Sequence, residues 1–192
     1  MKSATAISYE LDDLITTVRE LTTQIRDKLT FEKNTIAILH GQPDMESGEL
    51  SAMLARELNC QVIGGTAGAG SVLTSDGYHE LALALHVLTD DHCLFSTAIS
   101  DSLAAEPEKV VEDTYKRAYQ NLKRQDESAE PKLVIYFTLI SPDISSDTGL
   151  AKLSETCGGV PIFGYNAADD FEFCKQQVFL DGEVGGDRIG LL

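Results

Sequence analysis

Gln61-Val62-Ile63-Gly64-Gly65-Thr66-Ala67-Gly68-Ala69-Gly70-Ser71 is the stretch on which the reading of this chain turns. Gln61–Ile63 reads as a short strand, and it opens into a string of small residues from Gly64 to Ser71. Small residues directly after a strand let backbone N–H groups approach a ligand closely. In α/β proteins, ligands tend to sit beyond the carboxyl ends of strands. The string is not a P-loop, because no Gly-Lys-Ser/Thr follows. It also misses GxGxxG, since Ala67 stands where a count from Gly65 requires the second glycine. A nucleotide site is therefore not expected. The competing use of the same residues is a tight turn packed against a neighbouring strand.

A second such segment lies 100 residues on, where Phe163-Gly164 answers to Ile63-Gly64. It continues Tyr165-Asn166-Ala167-Ala168-Asp169, keeping the glycine and small residues but adding polar groups. Asn offers donors and an acceptor, and Asp offers acceptors. Together with the Thr66 hydroxyl, these groups could read a small polar molecule held between the two segments. The alternative for Asn166 and Asp169 is capping of a turn. The turns upstream also correspond. Pro43-Asp44 precedes Gly64 as Pro142-Asp143 precedes Gly164, at distances of 21 and 22 residues from proline to glycine. Asp44 and Asp143 read best as stabilisers of helix N-termini.

Working outward, the first half reads as follows. Ile7, Leu11, Leu14, Val18, Leu21, Ile25 and Leu29 mark one long helix. A strand follows at Thr35–Leu39 and a helix at Ser47–Leu58, stopped by Asn59. Beyond the glycine stretch, Ser75-Asp76-Gly77 turns the chain into strand Glu80–Leu88. That strand is expected to form a hairpin with Cys93–Ile99. The second half repeats the plan. A helix begins at Pro107, and a strand spans Lys132–Ile140. Another helix runs from the Ser141-Pro142-Asp143 turn to about Cys157 and stops at Gly158-Gly159. Two last strands, Gln176–Leu180 and Arg188–Leu192, flank the turn Asp181-Gly182-Glu183. The expectation is a single domain over 1–192 with an internal duplication, about 5–100 and 103–192. Its fold class is α/β, a layered mixed-sheet architecture of two α-β-α-β-β-β units, with two stacked sheets flanked by helices as one form. Residues Leu81–Leu88 are apolar on both strand faces, which requires cover on both sides.

The 192 residues are 43% hydrophobic and 24% charged, an ordinary globular composition. The net charge is −16, and each half carries −8. That argues against nucleic acid and anionic membrane surfaces as partners. No apolar leader or spanning run is present. Cys60, Cys93, Cys157 and Cys174 form no CxxC pair, so a reduced cytoplasmic protein is expected.

Catalytic signals are sparse. His79-Glu80 lacks the second histidine of HExxH, and His40, His79, His86 and His92 show no metal-ligand spacing. His86, on an alternating strand, reads as a core histidine. Neither a GxSxG elbow nor Ser-x-x-Lys occurs. An enzyme would have to use Cys157, Asp169 or Thr66 with glycine-loop N–H groups as an oxyanion site. Cys157 sits at a helix C-terminus, which does not favour its thiolate.

Val62-Ile63-Gly64-Gly65-Thr66-Ala67-Gly68, Gly159-Val160-Pro161-Ile162-Phe163-Gly164 with Asn166-Ala167-Ala168-Asp169, and Phe179-Leu180-Asp181-Gly182-Glu183 resemble the N-terminal part of the FIST domain. The resemblance runs from about Asn34 to Leu192. It implies a sensory, ligand-binding role in prokaryotic signal transduction, with amino acids among the ligands. It also implies a second, C-terminal FIST part or a signalling module as partner, which agrees with a chain ending on a hydrophobic strand. It brings no catalytic motif. Gly64, Gly65, Thr66, Ala67, Gly68, Gly164, Tyr165, Asn166 and Asp169 are the ligand-binding candidates, with no cofactor and no metal expected. A protein-interaction or scaffolding module is the alternative, ahead of a hydrolase or transferase.

Overall fold

The computed structural model describes residues 1–68, 72–75, 77–139, 145–172 and 174–192. In chain order its elements are β1 (Lys2–Ser8), α1 (Leu14–Lys28), β2 (Asn34–Gly41), α2 (Ser47–Leu58), β3 (Gln61–Thr66), β4 (Val72–Thr74), β5 (Gly77–His79) and β6 (Leu83–Asp90). There follow β7 (Ala98–Ile99), α3 (Pro107–Gln125), β8 (Val134–Leu139), α4 (Ser146–Thr156), β9 (Ile162–Ala167), β10 (Val178–Leu180), β11 (Glu183–Gly185) and β12 (Gly190–Leu191).

The strands form a six-stranded sheet ordered β1-β6-β2-β3-β10-β11, a four-stranded sheet ordered β7-β12-β8-β9, and the hairpin β4-β5. Each large sheet is covered on one face by helices and on the other by its companion sheet. Leu21 and Ile25 of α1 and Leu50 and Leu54 of α2 pack on Leu39, Val62, Leu83, Leu85 and Phe179. Val111 of α3 and Leu153 of α4 pack on Tyr136, Ile189 and Leu191. Between the sheets lie Ile36, Ile63 and Val178 from one side and Ile99, Phe137 and Ala167 from the other. The result is an α/β architecture layered helix–sheet–sheet–helix. Burial on both faces explains why central strands such as β2, β6 and β8 carry apolar residues on both of their faces. In each sheet the four strands β1-β6-β2-β3 and β7-β12-β8-β9 show the same succession of pairings, antiparallel, antiparallel and then parallel.

Several local expectations are corrected. The first helix does not include Ile7 or Leu11. It begins at Leu14, because Asp13 caps it by accepting from the N–H groups of Ile15 and Thr16 at 3.0 and 3.3 Å. The preceding residues form β1, whose inward positions are the small Ala4, Ala6 and Ser8. Such positions lack the bulky alternation by which strands are read. Leu83–Asp90 does not pair with Cys93–Ile99. Both of its edges are taken, by β1 and by β2, so the chain must leave the sheet, and Ala98–Ile99 joins β12 in the other one. The final segment contains three strands rather than two: β10 and β11 form a hairpin through Asp181-Gly182, and β12 lies in the opposite sheet.

The glycine stretch is also strand further than expected, since β3 continues through Gly64, Gly65 and Thr66. A Cβ on Gly64 would lie 1.8 Å from the Leu39 carbonyl oxygen of the paired strand, and one on Gly164 would lie 1.9 Å from that of Tyr136. Glycine is required at both places for close backbone approach. Ala69–Ser71, Asp76, and Ile140 with the Ser141-Pro142-Asp143 turn lie outside the described residues.

Candidate functional site

The carboxyl ends of β3 and β9 come together. Tyr165 Oη donates to the Gly65 carbonyl at 3.3 Å, and the Ala168 N–H donates to the Thr66 carbonyl at 3.1 Å. A Cβ on Gly65 would sit 3.2 Å from that of Ala167, and one on Gly68 would sit 3.0 Å from that of Ala168. The segments 64–68 and 164–169 are thus in direct contact, at the ends of two parallel strand–helix–strand units.

Strand alternation sorts the candidates by face. Gly65 and Tyr165 face the seam between the sheets. Gly64 lies under Leu39 and the Phe179 ring, and Gly164 against Tyr136, both on the helix-covered faces. Asn166 is exposed, and as the next residue after Tyr165 it projects from the opposite face of β9. Thr66 is fully buried, and its Oγ1 accepts from the Gln177 N–H at 3.1 Å. Asp169, buried in spite of its charge, turns back on its own loop. Its Oδ2 accepts from the N–H groups of Cys174 and Lys175, both at 2.6 Å. This is the turn-capping arrangement of an Asp side chain. Asp44 forms a salt bridge with Lys175 at 2.8 Å, tying the β2–α2 connection to the same loop.

The seam holds two residues that sequence reasoning did not place there. His40 stacks on Tyr165 with ring centroids 5.0 Å apart and meets the edge of His86 at 5.2 Å. His86 Nδ1 is hydrogen-bonded to Thr5 Oγ1 at 2.8 Å, and Phe137 packs edge-on to Tyr165. Burial lowers the His40 pKa to about 4, reinforced by the neighbouring His86, and burial lowers that of His86 as well. Burial raises the Tyr165 phenol, with the Gly65 bond opposing. At neutral pH the cluster is therefore two uncharged imidazoles and a neutral phenol, a set of hydrogen-bonding groups without net charge. The signal for His40 was present as a polar residue at the end of an apolar strand. Its pairing with His86 depends on β2 and β6 being neighbours, with Ile38 opposite His86 and His40 opposite Ala84.

Two of the backbone donors that an oxyanion site would draw on are already engaged. The Thr66 N–H is spent on the Gln177 carbonyl at 3.0 Å and the Ala67 N–H on that of Gly41 at 2.9 Å. Cys157 Sγ lies against the carbonyls of Ser154 and Val160 at the end of α4. Among the described residues no group of three His, Cys, Asp or Glu is placed to hold a metal ion, and no helix is long and apolar enough to cross a membrane.

The motif Phe179-Leu180-Asp181-Gly182-Glu183 is the β10–β11 hairpin. Asp181 Oδ1 accepts from the Val62 N–H at 2.6 Å, and the Gly182 N–H donates to Ser51 Oγ at 3.0 Å. The hairpin thereby closes the edge of β3 and seats itself on α2. Compared with known families, residues 35–192 match the FIST N domain. No curated protein and no solved structure gives a significant match.

Proposed function

The chain belongs to the FIST N domain family, and on that premise we propose that it is a non-catalytic sensory domain of a cytoplasmic signal-transduction protein, binding a small polar molecule where β3 meets β9. The observation that carries this reading is the uncharged cluster His40–His86–Tyr165, joined to the first glycine stretch by the Tyr165–Gly65 hydrogen bond. Amino acids are the first ligand class to test. Gly65, Thr66, Ala67, Gly68 and Tyr165 would frame such a ligand, with Asp169 bracing the adjoining loop, Asn166 on the outer face of β9, and Gly64 and Gly164 allowing the strands to approach.

The matching succession of strands in the two sheets supports an internal duplication, and the proposed site would lie between the two units. A C-terminal FIST part or a signalling module is the expected partner. The cytoplasmic assignment is supported by four free cysteines. A second reading, an interaction module, is favoured by one observation: β9 is a sheet edge among the described residues, and its Phe163 is 71% exposed.

A thermal-shift series with the amino acids tests the sensory reading. A ligand at 100 times its Kd stabilises by about 2.7 kcal/mol, a rise of about 5–10 °C for a chain of this length. The rise is expected to vanish in His40→Ala and to fall in Tyr165→Phe. A rise undiminished by both variants would place the site elsewhere, and no rise with any amino acid would favour the interaction module.

A further inference from the structure

A cavity lies at the other end of the sheets. It has a volume of about 520 Å³ and opens where β8 begins, at Val134 and Ile135, whereas the β3–β9 junction adjoins the strand ends at Thr66 and Ala167. Its size falls within the range of small-molecule sites, about 300–1,000 Å³.

Its walls are fastened independently of any occupant. One is the extended segment after β6, held along α3 by side chains. Ser96 Oγ donates to the Ala118 carbonyl at 2.6 Å, Gln125 Nε2 to that of Phe95 at 2.7 Å, and Asn121 Nδ2 to that of Thr97 at 3.1 Å. The opposite rim is held by Lys123, whose Nζ bonds Glu130 at 2.6 Å and lies 5.1 Å from the centroid of the Tyr119 ring. Walls fixed in advance lower the ordering cost of binding.

The floor of the cavity carries specific chemistry. Tyr115 and Tyr119, one helical turn apart on α3, lie nearly parallel, at 17° with centroids 6.2 Å apart. The Tyr119 hydroxyl is engaged with Glu130. The Tyr115 hydroxyl makes no hydrogen bond among the described residues, although burial already raises its pKa. Leu94, Phe95, Ala118 and Leu122 complete an apolar lining. At the rim, Glu130 is paired with Lys123 and has Lys132 nearby, and Asp126 also lies near Lys123.

We propose that this cavity is a second binding site, for a small uncharged aromatic molecule whose ring lies against the Tyr115–Tyr119 pair and whose hydroxyl or carbonyl group bonds the Tyr115 phenol. The site goes beyond the sensory reading and shares no residue with it.

Titration of the protein with 2-naphthol, followed by its fluorescence, tests the proposal, with naphthalene as the probe lacking the polar group. Saturable one-to-one binding of 2-naphthol is expected. Tyr115→Phe should weaken 2-naphthol about fivefold, the worth of one hydrogen bond, and leave naphthalene unchanged. Ala118→Phe, which fills the cavity, should abolish binding of both. Tyr115→Phe removes an atom with no partner, so its fold is not at risk, and circular dichroism checks Ala118→Phe. Non-saturable binding, or 2-naphthol affinity unchanged in Tyr115→Phe, would overturn the proposal. Amino-acid stabilisation that survives Ala118→Phe while 2-naphthol binding is lost would keep the two sites distinct.

Discussion

The ends of β3 and β9 carry the same glycine device in different surroundings. Both strands follow a helix, both run parallel to the strand before that helix, and both place a glycine where a Cβ would strike the partner's carbonyl oxygen. Yet residues 62–66 are all buried, while Phe163, Gly164 and Asn166 are exposed. The difference is the β10–β11 hairpin, which pairs with β3 and has no counterpart on β9 among the described residues. The glycine answers a local demand of parallel pairing, and the neighbouring layer decides whether the strand end is core or surface.

The contrast is tested most strongly by two phenylalanines. Phe179 is fully buried against the Gly41 and Gly64 backbone, and Phe163 stands 71% exposed on β9. Phe179→Ala should cost about 3–5 kcal/mol and Phe163→Ala less than about 0.5 kcal/mol, read by urea denaturation. Comparable losses would mean that β9 is as well covered as β3.

The glycines sharpen it further. Gly64→Ala should cost about 3 kcal/mol or more, since the clash is with backbone inside a sheet and the Phe179 ring closes the other side at 3.0 Å. Gly164→Ala meets the same backbone clash in an edge strand, which can shift outward. Its loss should be smaller, about 1–3 kcal/mol, and an equal loss would mean that the edge does not relax.

Between the two strand ends, the histidine cluster sets a pH dependence. His40 has a folded pKa of about 4 against 6.5 for the free side chain. As pH falls, the unfolded chain takes up this proton first. The contribution is therefore full above pH 6.5 and is lost as pH falls towards 4. A loss of about 3 kcal/mol across that window is the right order, about 2 kcal/mol of it by pH 5, and His40→Phe should flatten most of it when urea midpoints are compared at pH 7, 6 and 5. A small effect belongs to the exposed Asp44–Lys175 pair: Asp44→Ala should change stability by less than about 1 kcal/mol, and the change should diminish further in high salt.

Much of this was legible in the residues. The helix Ser47–Leu58 and its stop at Asn59 follow from apolar spacing and from a residue that tolerates the left-handed region, where Asn59 has φ 52°. Gly158 and Gly159, both at positive φ, end the last helix for the same reason. Pro107 opens α3. The apolar character of both faces of Leu81–Leu88 called for cover on both sides, and for β6, which begins at Leu83, the two sheets with their helices supply it. Other parts were not legible. Lys2–Ser8 buries only small side chains, so no pattern distinguishes it from the run-in to a helix. The partners of β6, β7 and β10 are set by which sheet edges are still open when the chain arrives, a property of the assembled layers.

The sequence by itself determined the alternation of helices and strands, the two glycine-marked strand ends and the family, because these depend on spacing and backbone freedom along the chain. Only the tertiary structure decided that Asp169 closes a turn, that the Phe179–Glu183 motif covers one sheet edge and not the other, and that His40, His86 and Tyr165 meet. His40 and His86 are 46 positions apart in one sheet, His40 and Tyr165 are 125 apart across two, and the hairpin reaches Val62 and Ser51 over 119 and 131 positions, so no local periodicity encodes these contacts.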